Sequence, residues 1–179
     1  ETYPSDSLFR DFAGSSAIDT TASLRLNLNL RSRGWTFDSA YQLVGLSSET
    51  LSLRGLPNDD HRLFGLTDVI RSNDDSALLH RLDRLWVGYT TEKTVLRFGR
   101  QALSWGNGLA YAPMDLVNPF DPAAIDTEYK AGDDMLYLQY LQDNGNDFQG
   151  AWVLRRNVQT GDVETDESTM AVKYHGFWG

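Results

Sequence analysis

Residues 24–31 read Leu-Arg-Leu-Asn-Leu-Asn-Leu-Arg, four leucines alternating with four strongly polar residues without an exception. Successive side chains of a β-strand point to opposite faces, so a strand here gathers every leucine on one face and every Arg or Asn on the other. The pattern leaves one question open: the leucine face meets either a protein core or lipid.

Further segments carry the same period. Strands are predicted over 22–31, 35–46, 80–90, 94–103, 134–142, 146–156 and 167–176, with residues 1–21 as a leader segment. Their pairing parities agree. Setting Leu30 opposite Trp35 puts Leu28 by Phe37 and Leu24 by Tyr41. Setting Thr91 opposite Thr94 puts Tyr89 by Leu96 and Val87 by Phe98. Setting Tyr140 opposite Phe148 aligns Leu136, Leu138 and Tyr140 with Phe148, Trp152 and Leu154. Met170, Val172 and Tyr174 continue the apolar face. Ser32-Arg33-Gly34, Glu92-Lys93 and Asp143-Asn144-Gly145 are short enough for hairpin turns. Residues 47–78 form a long connection in which Leu63, Phe64, Val69 and Ile70 mark a short element, and 104–133 form a second.

Bulk properties narrow the choices. The 179 residues carry a net charge of -9, which argues against nucleic acid as a partner, because a phosphate-binding surface needs clustered Lys and Arg. There is no cysteine, hence no disulfide framework and no thiolate metal site. No run approaches the roughly 20 apolar residues of a spanning helix. A mean hydropathy of -0.42 fits a soluble protein, but it fits a transmembrane β-barrel as well, where only alternate residues meet lipid. The chain begins at Glu1 and reads as a mature or trimmed product whose sorting signal has been removed.

The connections alternate short, long, short, long, short, medium. Outer-membrane up-and-down barrels do this, with tight periplasmic turns on one rim and long extracellular loops on the other. Trp35, Tyr41, Tyr89, Tyr140 and Tyr174 fall near strand ends, where aromatic girdles lie. A soluble β-sandwich also alternates. On the polar face the strands carry Arg25, Arg31, Arg84, Arg97, Arg155 and Lys173, with Asp38 among the acids, and Gln101 shares that face. In an acidic chain this sorting implies a basic wall that would concentrate anions; on a sandwich the same residues would be solvated. The connection 104–133 has the opposite sign, with Asp115, Asp121, Asp126, Glu128 and Asp133. It also carries Trp105, Tyr111, Phe120 and Tyr129, with prolines at 113, 119 and 122. It is too proline-rich for a helix or central strand. Two readings stand: a loop folded inward that narrows a pore, or an ordered surface loop.

The run Leu96-Arg97-Phe98-Gly99-Arg100-Gln101-Ala102-Leu103-Ser104-Trp105-Gly106-Asn107-Gly108 leads into Pro113-Met114-Asp115-Leu116-Val117-Asn118-Pro119-Phe120-Asp121-Pro122 and then Asp126–Asp134. It resembles a porin-like group of Gram-negative outer-membrane β-barrel proteins that share a Gly-Arg-Gln…Ser-Trp-Gly strand end followed by an Asn-Pro loop. Similar strand ends occur in alginate-export and capsule-assembly barrels. The resemblance covers about 80–141. It implies an all-β, antiparallel up-and-down transmembrane barrel in the outer membrane, with the bilayer and lipopolysaccharide as surroundings and a porin-like or polysaccharide-linked role. It supplies no catalytic residues. Seven strands do not close a single-chain bacterial barrel, so the chain reads as the amino-terminal part of a larger barrel.

No enzyme is expected. His61, His80 and His175 lack metal-ligand spacing, Ser104 lies outside a Gly-x-Ser-x-Gly elbow, and Gly106-Asn107-Gly108 is not followed by Lys-Ser/Thr. The adjacent acids Asp59-Asp60, Asp74-Asp75 and Asp133-Asp134 read as loop solvation or turn chemistry. Neither a cofactor nor a metal is implied. The expected function is a channel that passes or exports an anionic or saccharide solute. Arg25, Arg84, Arg97, Gln101 and Arg155 would lie on its wall, with Trp105, Asp115, Asp121 and Glu128 at a constriction. The alternatives are a soluble all-β binding module and a non-conducting barrel that docks a surface polymer.

Overall fold

The computed structural model describes residues 19–49, 51, 55–103, 105 and 132–176. Eight strands are present: β1 (Asp19–Ser32), β2 (Trp35–Ser48), β3 (Thr67–Ser72), β4 (Ser76–Thr90), β5 (Thr94–Gln101), β6 (Asp133–Leu141), β7 (Asp147–Val153) and β8 (Thr169–His175). They form one sheet in the order β1-β2-β4-β5-β6-β7-β8, with β3 branching off β4. The pairs β3–β4, β4–β5, β5–β6, β6–β7 and β7–β8 are all antiparallel. Among the described residues β1 and β8 end this path without pairing to each other.

The hairpins follow from turn chemistry. Arg33 and Gly34 are the two residues between β1 and β2, and both take positive φ, 50° and 84°. That is the combination a type I′ turn needs, and its twist matches the flanking strands. Thr91 closes the next hairpin by donating its N–H to the Thr94 carbonyl (2.8 Å). In the third, Gly145 (φ 85°) occupies the left-handed position and Gln142 N–H reaches the Asn146 carbonyl at 2.8 Å. The observed registers set Tyr89 opposite Leu96, Val87 opposite Phe98 and Tyr140 opposite Phe148.

Two differences from the sequence expectations have physical causes. In the connection predicted over 47–78 the short element at Val69 and Ile70 is β3, while Leu63 and Phe64 lie outside it; β4 begins at Ser76, and its early residues offer the edge to which Thr67–Ser72 pairs. The register slips between Val69 and Arg71, as at a β-bulge. The strand predicted to reach 156 ends at Val153. Beyond it Arg155 and Arg156 make isolated antiparallel bridges to Arg62 and Val163, so the chain leaves the ladder with β8 to meet other segments.

The chain divides into two compact units. One comprises residues 19–26, 41–59 and 65–82. Val44, Leu51, Ala77 and Leu79 are buried in it, and Arg81 Nε donates to Gln42 Oε1 (2.8 Å). The other comprises residues 27–40, 60–64 and 83–176. It contains the β1–β2, β4–β5 and β6–β7 turns and the buried cluster of Trp105, Met135, Tyr137, Ala151 and Val153.

Candidate functional site

The second unit presents two chemically distinct faces, and register alone separates them. One face has a row Val87, Phe98, Leu136, Trp152, Met170 and a row Tyr89, Leu96, Leu138, Gly150, Val172. Nearer the turns follow Tyr140, Phe148 and Tyr174, with the Phe148 and Tyr174 rings 4.6 Å apart and the Trp35 and Tyr89 rings 5.0 Å apart. These apolar side chains are exposed or half-buried, and Met170 and Val172 reach 72 %. The four leucines of β1 are 50–59 % exposed, so no core of the described residues covers them.

The opposite face is mixed. One row reads Gly88, Arg97, Tyr137, Ala151, Ala171 and the next Thr90, Val95, Gln139, Gln149, Lys173. Tyr137 Oη lies 3.2 Å from Gln139 Oε1 and 3.2 Å from Gln149 Oε1. Both glutamine amides donate to Asp147 Oδ2, at 3.2 and 2.7 Å. Trp105 packs over this face against Met135 and Val153, and its backbone carbonyl accepts from Lys173 Nζ at 3.4 Å. Its indole Nε1 is buried without a partner among the described residues.

Arg97 is the centre of a third feature. Its guanidinium carbon lies 5.0 Å from the Trp86 ring centroid and 5.5 Å from that of Tyr137, within cation–π range. Gly88 sits opposite it, and a Cβ there would stand 3.0 Å from Arg97 Cγ and 3.0 Å from Trp86 Cζ3. The missing side chain is what lets the arginine lie across the strand. Beside it is a cavity of about 550 Å³ lined by Arg31, Arg33, Trp86, Arg97, neighbouring residues of the β1–β2 turn, and residues of β4 and β5. Among the described residues no carboxylate lines it.

No protein-family model, curated protein or solved structure matches the chain.

The expected wall residues do not behave alike. Arg84 Nη1 bonds the adjacent Asp83 carboxylate at 3.1 Å. Arg155 donates to Asp133. Those two arginines are therefore neutralised locally. Arg25 is half-buried in the first unit. Gln101 is buried, with Nε2 3.4 Å from the Met135 carbonyl. Asp115, Asp121 and Glu128 lie outside the described residues, as do the remaining acids of that loop before Asp133. Among the described residues no three His, Asp or Glu side chains gather as a metal site would require.

A buried clamp was not anticipated. Asp133 and Asp134 begin β6 and point to opposite faces, since period two holds from the first residue. Asp134 receives Arg100 in a two-toothed pair, Nε to Oδ1 at 2.9 Å and Nη2 to Oδ2 at 3.1 Å, both side chains essentially inaccessible. The Phe64 N–H donates to Asp134 (2.8 Å) and the Phe64 carbonyl accepts from Arg100 Nη2 (2.6 Å). Arg156 holds the same segment through Leu63 O at 3.0 Å. The adjacent acids thus serve as ion-pair partners, not as loop solvation. Trp86 and Tyr137, which flank Arg97, were also missed as site residues; the pairing of Arg97 with Tyr137 needed β6 to be recognised as the neighbour of β5.

Proposed function

We propose that the chain is part of an outer-membrane β-barrel that passes or exports a small anionic or saccharide solute. The observation that carries the reading is the exposed apolar face of β4–β8 between the hairpin turns and the Arg100–Asp134 pair, backed by a mixed face that carries Arg, Lys, Gln, Tyr and Asp. Contiguous apolar surface of this kind on a soluble monomer is confined to binding patches, whereas alternation of lipid-facing and lumen-facing residues is what a membrane barrel requires. Aromatic side chains near the hairpin turns fit the interfacial girdle. An aromatic platform beside charge suits sugars and organic anions alike.

The test is reconstitution of the protein in a planar bilayer. The expected result is stepwise conductance with anion preference that Arg97→Ala reduces. No conductance, or a cation preference indifferent to Arg97→Ala, refutes the anion channel. A second reading is supported by the buried cluster of Trp105, Met135, Tyr137, Ala151 and Val153. Such a cluster on the mixed face also suits the core of a soluble all-β binding module. Cooperative folding in buffer without detergent, as a monomer, would select that reading.

A further inference from the structure

We infer that the cavity at the β1–β2 turn is a discrete binding site for a small organic anion, with Arg97 as its anchoring residue. The inference deepens the channel reading by naming the chemical group its wall holds, and it rests on that reading's assignment of the mixed face to the lumen.

Four observations combine. First, Arg97 is half-buried, and among the described residues no carboxylate pairs with it, nor with Arg31 or Arg33. This contrasts with Arg84, Arg100 and Arg155 of the same unit, each of which has an aspartate. Charge held partly away from water without a partner is costly, so Arg97 favours an anionic ligand beside it. Second, the guanidinium is held by Trp86 and Tyr137 in a space that Gly88 leaves open. A planar fork fixed in this way loses little freedom on binding a carboxylate or phosphate. Third, the cavity of about 550 Å³ falls in the range of small-ligand pockets. Fourth, its other charged lining residues, Arg31 and Arg33, have the same sign. Three cations line the cavity with no acid among the described lining residues, so the complementary ligand carries negative charge, as a sugar acid or a comparable carboxylate does.

The experiment is calorimetric titration of the full chain, folded in neutral detergent, with sodium glucuronate, glucose, inorganic phosphate and short-chain phosphatidylglycerol. Glucuronate is expected to bind at least tenfold more tightly than glucose, with phosphate competing. Arg97→Gln should lose tenfold or more of the glucuronate affinity, and Arg97→Lys should fall between the two. Should Arg97→Gln fail to fold, the double variant Arg31→Gln/Arg33→Gln, placed at the exposed end of the hairpin, should still lose threefold or more. Equal affinity for glucuronate and glucose, or variants within twofold of the wild type, overturns the inference. Displacement of glucuronate by the lipid at lower concentration than by phosphate assigns the site to a headgroup and overturns the solute version. Binding is read without conduction: a non-conducting chain that binds glucuronate through Arg97 defeats only the channel, and a conducting chain without such binding defeats only the site.

Discussion

Replacing Arg100 by Met tests the clamp most directly. The guanidinium makes two bonds to Asp134 and one to the Phe64 carbonyl. Its loss leaves a carboxylate with no measurable exposure facing the Phe64 N–H as its remaining donor outside the removed pair. Breaking a buried pair from one side costs about 3–5 kcal/mol, and Asp134→Leu should cost the same for the mirror-image reason. Additive effects would then sum to roughly 6–10 kcal/mol. The double variant removes both charges and, among the described residues, orphans the Phe64 N–H and carbonyl, at about 1–3 kcal/mol each, so about 2–6 kcal/mol is expected. The mid-range values, roughly 8 against 4 kcal/mol, put the coupling energy at about 4 kcal/mol. Urea titration followed by tryptophan fluorescence measures all four proteins, with unchanged slopes confirming a common unfolded state. Single losses below about 1 kcal/mol, or a double loss equal to the sum, would refute the reasoning.

Other outcomes follow from single positions. Leu138→Arg should cost about 2–4 kcal/mol if its face meets the bilayer centre and within about 0.5 kcal/mol if it meets water; unfolding in lipid vesicles decides. Gly99 has φ 122°, and a Cβ there would approach Leu85 O at 2.2 Å and Trp86 Cα at 2.9 Å. Gly99→Ala should lose at least about 2 kcal/mol, whereas Gly150→Ala, with nothing within 4 Å, should stay within about 0.5 kcal/mol. Lys93→Ala breaks an exposed pair with Asp143 and should shift stability by less than about 1 kcal/mol in thermal melts.

The hairpins were legible because two local signals agree at each: apolar parity across the strands and a glycine or short polar turn between them. Tyr140 and Phe148 meet for that reason. β3 was legible only as a short element at Val69 and Ile70, since Asp68 and Arg71 interrupt any apolar alternation and its partner Leu79 belongs to a strand that starts before the predicted residue 80. The arginines divide in the same way. Arg84 lies beside Asp83 in sequence, but parity assigns the two to opposite faces and hides their bond. Arg155 and Asp133 stand 22 residues apart and Arg100 and Asp134 34 apart, so net charge along a segment could not reveal their neutralisation. Arg97 kept its predicted face, and the rings that hold it came from strands on both sides.

The clamp also has a consequence for the order of assembly. Phe64 finds its seat only after Arg100 of β5 and Asp134 of β6 are side by side, and Leu63 is tied to Arg156 across 93 residues. Closing so long a span is entropically late, while the β4–β5 and β6–β7 hairpins close locally. The segment around Phe64 therefore latches a sheet already made. In a native-state exchange experiment its amide should open as a unit of its own, ahead of the hairpins that received it.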